Sequence, residues 1–290
     1  MSLLIEEKAA SEILKGISIP PQPQIMVDLQ FEMAMPEVNI GKIAEIISKD
    51  VGISGSVLKV VNSPFFRLRN QITSINQALN LLGVNNAVNI VNSLSIRDSL
   101  TDRSIVELTR FWDNAIDVAM ASAAISRMIG IASPDEAYTL GLFHNSGIAL
   151  LIGKFKNYPK VLQAAYAEQK NRITEIENTK IDCNHSVIGY YVARSWKLPS
   201  YLAEAIADHH KTEPIFSENV ICDTQKKNLL ATLKLAETIC KTYKSLGRAD
   251  QDYEFARIKK NLLLYLGLSE YDFENLQAEL LDMGLGQQTV

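Results

Sequence analysis

The chain has 290 residues, 47% of them apolar, and a net charge of −4 from 29 basic and 33 acidic side chains. That is enough apolar side chain for one large core or two small ones and excludes a disordered composition. No block of Lys or Arg gives the footprint of a general nucleic-acid binder. Cys183, Cys222 and Cys240 form no CxxC pair, which excludes a disulfide framework and points to the reducing cytoplasm.

The start, Met-Ser-Leu-Leu-Ile-Glu-Glu-Lys, turns acidic at once and has no signal-peptide core. Residues 1–19 are expected to hold one short amphipathic helix. Ile19-Pro-Pro-Gln-Pro23 then reads as an extended break, because each proline disfavours helix at the residue before it. Asn39 is a plausible N-cap for a helix whose inner face is Ile40, Ile43, Ile46 and Ile47. Ser74-Ile-Asn-Gln77 is a capping box, and Gly83 marks the end of that helix. A boundary near Leu100–Ser104 separates an N-terminal helical lobe, 20–103, from a second lobe, 104–290.

The apolar run Ala115–Ala132 carries Asp117 and Arg127 and is rich in Ala and Ser, so it reads as a buried helix and not as a membrane span. Gly130 suits a left-handed helix end, and Ser133-Pro-Asp-Glu136 starts the next helix with a Ser cap, Pro at the first position and acids in the first turn. His185 opens a helix after Asn184, with Ile188 and Val192 on one side. Another helix begins near Pro199 and closes at His209-His210. Lys211–Gln225, with Pro214, is read as a loop, and Gly247 as a second left-handed end. No alternating strand pattern and no fixed-period repeat occurs, so the fold class is all-α.

All four histidines, His144, His185, His209 and His210, fall between positions 144 and 210. Any one alone is more often a half-buried helix-end residue bonded to a carbonyl; the set of four favours a common pocket. Two consecutive residues of a helix cannot share one face, so His210 is expected to be the bystander. Cys183 lies two residues from His185, but no compact ligand spacing repeats, and buried inert cysteine is preferred to structural zinc.

The first lobe carries, in order, Ile19-Pro-Pro-Gln-Pro23, Ile43–Asp50, Leu58-Lys-Val-Val-Asn-Ser63, Ile75-Asn-Gln-Ala78 and Leu82-Gly83. The second carries Phe111-Trp112, Gly141-Leu-Phe-His144, His185 with Gly189, Trp196-Lys-Leu-Pro199, Ala205-Ile-Ala-Asp-His-His210 and Lys234-Leu-Ala-Glu237. In this order these stretches resemble the HDOD domain, a bacterial signalling relative of the HD and HD-GYP phosphohydrolases. The likeness runs from about Pro20 to about Gly267. It implies a multi-helix HD-like bundle with an N-terminal helical lobe.

It also implies a damaged metal site. Active HD enzymes use a His on an early helix, a His-Asp pair and a late Asp; carried over, these fall on Asn114, His144, Asn145 and Glu237, of which only His144 is unchanged. The extra histidines of binuclear relatives fall on His185 and on His209 or His210. A lysine that often follows the His-Asp turn is Ile148 here. A carboxamide offers a metal one neutral oxygen where a carboxylate offers charge. Without a bound ion there is nothing to activate water or neutralise a phosphate. No catalytic residue and no resident cofactor is therefore expected. A divalent ion (Zn, Ni, Mn or Fe) at low occupancy, held by His144, His185, His209 and Glu237, is the reservation.

The resemblance implies a regulatory module acting by protein interaction. With only a short helix before Pro20, it is expected to stand alone and meet signalling proteins in trans, with no nucleic acid and no membrane. The sequence does not give the oligomeric state. Phe65, Arg67 and Arg69, in Phe65-Phe66-Arg67-Leu68-Arg69, are interaction candidates; the alternative is that the aromatics close the core and the arginines are solvated. Trp112 and Trp196 are read as core anchors. The competing functions are a cryptic metal-dependent phosphohydrolase or phosphodiesterase and a sensor holding a nucleotide in the old cleft.

Overall fold

A computed structural model of the protein describes residues 14, 16–66, 68, 70–100, 106–217 and 222–286, and every regular element among them is a helix. The fold is all-α. Contacts divide the chain into two units: Pro20–Thr101, and Met1–Ile19 with Asp102–Val290. The first helix expected from the sequence, within 1–19, lies almost wholly outside the described residues.

The first unit contains α1 (Gln24–Met33), α2 (Ile40–Ser48), α3 (Val51–Val61), a 3-10 turn at Pro64–Phe66, α4 (Ile75–Leu82) and α5 (Val84–Leu100). Leu29, Ile43, Ile47, Val57, Val61, Leu79 and Val91 form its core. Asn39 caps α2 by accepting from the Lys42 N–H at 3.1 Å. The buried face of α2 is narrower than its isoleucines suggest: Ile43 and Ile47 are buried, Ile46 is partly buried, and Ile40 is exposed. The stretch Ile43–Asp50 is not one helix, because Asp50 caps α3 through the Ile53 N–H at 2.9 Å. Asn62, after α3, donates to the Leu58 and Ile72 carbonyls and accepts from the Ile72 N–H, all at 2.8 Å, so one amide staples the following loop to the helix.

Ser74 caps α4 through the Gln77 N–H, but the Gln77 side chain accepts from the Thr73 N–H, one residue earlier than a reciprocal box would have it. Gly83, at φ +78°, ends α4 and lets α5 begin at the next residue. Phe65 and Phe66 meet edge to face at 4.8 Å and are both half-buried. Arg67 and Arg69 lie outside the described residues.

The second unit runs through α6 (Val106–Ile129), α7 (Pro134–Phe143), α8 (Ser146–Lys154), α9 (Tyr158–Tyr166), α10 (Ile173–Ile181), α11 (His185–Ser195) and α12 (Ser200–Asp208). It continues with α13 (Thr212–Phe216), α14 (Thr224–Ile239), α15 (Thr242–Ser245), α16 (Tyr253–Leu266) and α17 (Glu270–Asp282). The Ala- and Ser-rich run of α6 is buried, and its small side chains let α7 approach closely: a Cβ on Gly141 would stand 2.8 Å from the Ala119 Cα. Trp112 and Trp196 are both fully buried. No described helix is long and apolar enough to cross a membrane.

Three local expectations need correction. Ser133 makes no side-chain cap bond; Pro134 and the acids of the first turn carry the start of α7. Lys211–Gln225 is not all loop: Thr212–Phe216 is a short helix, and Pro214 fits it because a first turn needs no N–H there. Gly247 is not left-handed. A Cβ there would stand 2.2 Å from the Tyr166 Cβ, so the residue is small for packing, while its neighbour Arg248 takes the positive φ, +51°. Gly130 does adopt φ +76°.

Candidate metal centre in the histidine core

Two glycines set the geometry. A Cβ on Gly147, in the first turn of α8, would lie 2.1 Å from the His185 carbonyl oxygen, so the starts of α8 and α11 touch. A Cβ on Gly189 would lie 3.0 Å from the Ile206 Cγ2 and 3.5 Å from the His144 carbonyl oxygen, so α11 also lies against α12 and the end of α7. His144 caps the end of α7, His185 opens α11, and His209 and His210 follow α12. Two helix ends and one turn thus bring four imidazoles into one buried cluster. Their exposures are 1% for His144, 0% for His185 and His209, and 2% for His210.

Each ring has its Nδ1 against an oxygen. His144 meets the Gly141 carbonyl at 2.7 Å, His209 the Ile206 carbonyl at 2.7 Å, His210 the Glu254 Oε2 at 2.7 Å, and His185 both oxygens of Glu177 at 2.8 Å. Carbonyls and carboxylates only accept, so every Nδ1 carries the proton, and the Nε2 atoms of His185, His209 and His210, which face one another, present lone pairs. Those lone pairs converge: the His185 Nε2 is 3.2 Å from the His209 Nε2 and 3.0 Å from the His210 Nε2. The three ligand nitrogens lie within 4.8 Å of one another. Burial, reinforced by the neighbouring imidazoles of His209 and by Lys234 beside His210, pushes the pKa of both residues well below the ordinary histidine value. A second ring proton is therefore disfavoured where a hydrogen bond between two Nε2 atoms would need one. A cation among the three lone pairs would satisfy them, and an Nδ1–H fixed by an oxygen is what metal-bound histidines usually have.

A second group of side chains lies alongside. Glu237 Oε1 is 3.3 Å from the His144 Nε2, and the His144 and His209 rings are 5.2 Å apart. Lys234 Nζ is 2.8 Å from Glu237 Oε2 and 2.9 Å from Glu254 Oε2. Burial alone would raise the Glu237 carboxyl pKa; the Lys234 ammonium and His144 outweigh it and hold the group far below the usual carboxylate range. Burial alone would likewise lower the Lys234 pKa, and the two carboxylates outweigh that and raise it.

His144, His185, His209 and Glu237 all stand in the cluster. The structure departs from the sequence reading at His210. Helix α12 stops at Asp208, so His209 and His210 sit in a turn where the rule against adjacent residues sharing a face no longer applies. Asn114 is occupied elsewhere: its Oδ1 accepts from the Thr242 hydroxyl at 3.1 Å and its Nδ2 faces the Cys240 carbonyl at 3.4 Å. Asn145 is 1% exposed, and among the described residues neither its Oδ1 nor its Nδ2 has a hydrogen-bond partner. An orphaned amide beside His144 fits a site that takes a further ligand.

Sequence reasoning missed Glu177 and Glu254, and it named Lys234 without giving it a role. Glu177 also accepts from the Tyr158 hydroxyl and, at 3.3 Å, from the His185 N–H. One signal was present for each of two: Glu177 stands four residues after the buried Ile173, and Lys234 is the one charged residue in the stretch Leu229–Ala236, which is otherwise apolar but for Thr232.

The donor set suits one ion of borderline softness. Three imidazoles make the ligand set of a catalytic zinc site, and their second-sphere partners here are two carboxylates and a carbonyl. Such an ion supplies Lewis acidity and lowers the pKa of bound water when solvent reaches it.

An all-helical fold around a buried imidazole cluster defines the class. The chain belongs to the HDOD domain family, which matches it over residues 19–212. The crystal structure of an HDOD domain protein from Geobacter sulfurreducens is similar, with a TM-score of 0.74 over 99% of this chain and 98% of that one, at 21% identity. A Treponema pallidum protein without a characterised function is 25% identical over 205 residues, 70% of this chain and 40% of that one. The cyclic di-GMP phosphodiesterase CdgJ of Vibrio cholerae is 29% identical over 132 residues, 46% of this chain and 30% of that one. The chain therefore spans well under half the length of these two relatives.

Proposed function

We propose that this chain is a regulatory module that acts on signalling proteins in the cytoplasm, and that its histidine core holds one zinc-class cation without hydrolysing phosphoesters. The observation that carries this reading is the burial of the centre. No histidine in it is more than 2% exposed, and a phosphodiester would have to touch the ion to be cleaved. One cavity, lined in part by Glu254 and Tyr166, holds about 10 Å³, the room of one water molecule, and another, lined in part by Asn184, Ala207 and Lys211 and by no histidine, holds about 110 Å³. Ile148 is buried where relatives of the phosphohydrolase type often carry a lysine, so no cation for a substrate phosphate stands there. An expectation of low metal occupancy rested on Asn114 and Asn145; the three-imidazole set uses neither. Membership of the HDOD family supports the signalling role. The match to the Vibrio phosphodiesterase covers under a third of that protein, so its activity is not carried over.

The test joins elemental analysis to an assay. Purified protein saturated with zinc and then desalted is expected to hold one equivalent, lost on His185→Ala. The zinc-, manganese- and iron-loaded forms are expected not to cleave bis(p-nitrophenyl) phosphate or a cyclic dinucleotide. Metal-dependent cleavage that disappears in His185→Ala would establish the alternative, a metal-dependent phosphohydrolase.

A further inference from the structure

We propose that Lys234 is a resident internal cation that limits this centre to a single metal ion. The inference rests on the metal-binding reading above. The core holds more donors than one ion uses. His185, His209 and His210 form one set, and the His144 Nε2 with the Glu237 carboxylate forms a second, 3.3 Å apart. A second divalent ion would need that pair. The pair is already engaged: the Lys234 ammonium lies 2.8 Å from Glu237 Oε2 and 2.9 Å from Glu254 Oε2 and is itself 3% exposed.

One ammonium between two buried carboxylates leaves this side with a single net negative charge. A divalent ion on Glu237 would set three positive charges against two negative ones in a place with almost no solvent, where like charges a few ångströms apart repel strongly. The same ammonium steadies Glu254, whose Oε2 accepts from the His210 Nδ1 at 2.7 Å. Lys234 thus has two effects through one contact set. It closes the second position with a fixed charge, and it holds the carboxylate that orients a ligand of the first.

The experiment counts ions on the full chain by titration calorimetry with manganese and zinc, checked by elemental analysis and melting temperature. The wild type is expected to bind one equivalent. Lys234→Met is expected to bind two, to melt lower than the wild type without metal, and to gain more from manganese than the wild type does. Lys234→Arg, which keeps the charge, is expected to stay at one. Where Lys234→Met does not fold, Lys234→Gln, which keeps an amide donor for the two carboxylates and removes the charge, is expected to bind a second ion at Glu237. One equivalent in every folded variant would overturn the role of Lys234 and leave the metal-binding reading standing. Two equivalents in the wild type would also overturn it. No metal in the wild type would remove both.

Discussion

Both carboxylate oxygens of Glu177 lie 2.8 Å from the His185 Nδ1, and neither residue is exposed to solvent. The pair fixes which nitrogen of His185 is free, because a carboxylate only accepts and so binds the proton at Nδ1. Glu177 also accepts from Tyr158, whose own hydroxyl is pushed well above the ordinary tyrosine pKa by burial and by Glu177. The direction in which His185 offers its lone pair is therefore set from α9 and α10, outside the elements that carry the histidines.

Glu177→Gln tests this. The amide can accept one bond and must turn an N–H toward another donor. Weakening a buried hydrogen bond so that a polar group is left unsatisfied costs about 1–3 kcal/mol, and loss of such a supporting carboxylate weakens metal affinity roughly 10–100-fold. The variant is expected to show both effects, in the urea midpoint and in the zinc dissociation constant. A variant with unchanged zinc affinity would mean that His185 is no ligand.

Asn145→Asp should act in the opposite direction. Both amide atoms are buried without partners among the described residues, next in the chain to His144. A carboxylate there adds a charged donor to a core built from neutral imidazoles, and zinc affinity is expected to rise about 10-fold, the scale of one well-placed supporting group. The apo form is expected to melt lower, because a buried charge without a counter-ion is costly. Calorimetry and melting curves with and without zinc give both numbers. An apo protein as stable as the wild type, with no tighter zinc, would show that residue 145 points away from the ion.

Asp117 gives a pH dependence free of the metal. Burial, then the nearby Asp113, raises its carboxyl to about 7, and the Gly286 N–H only partly opposes them. The folded pKa is thus above the unfolded value of about 4. The protonated form favours the fold, so this contribution is fully present below about pH 4 and is lost as pH rises to about 7. Asp117→Asn keeps an acceptor for Gly286 and removes the ionisation. It is expected to raise stability at pH 8 by up to roughly 4 kcal/mol, from about three units at 1.36 kcal/mol each, and to change little at pH 4. Equal melting temperatures for variant and wild type at pH 8 would refute it.

The helices and several of their caps were legible because they depend on neighbours in the chain. Asn39, Ser74, Asn184 and Gly83 all act within four residues of their partners. The common pocket of histidines was readable from their clustering. The partners were not: Glu177 to His185 spans eight residues, Lys234 to Glu254 twenty, and His210 to Glu254 forty-four. Periodicity carries no information on such pairings. His210 was misjudged because the helix stops one residue before the tandem pair, a difference that propensity does not resolve.

Gly147→Ala is the sharpest test of how the fold builds the centre. Its new Cβ would meet the His185 carbonyl oxygen at 2.1 Å and the Gly189 nitrogen at 2.9 Å, both backbone atoms that cannot rotate aside. Overpacking a core costs about 1–3 kcal/mol and more where the backbone must move, so a loss of at least about 3 kcal/mol is expected here. Relief can come only from separating α8 and α11, which carries His185 away from His209 and His210. Zinc binding should therefore fall along with stability, unlike in a variant that merely empties the separate core of the first unit, such as Leu29→Ala. The comparison uses urea midpoints and zinc titration on both variants. If Gly147→Ala keeps zinc affinity while losing stability, the contact between these two helices is not what aligns the imidazoles.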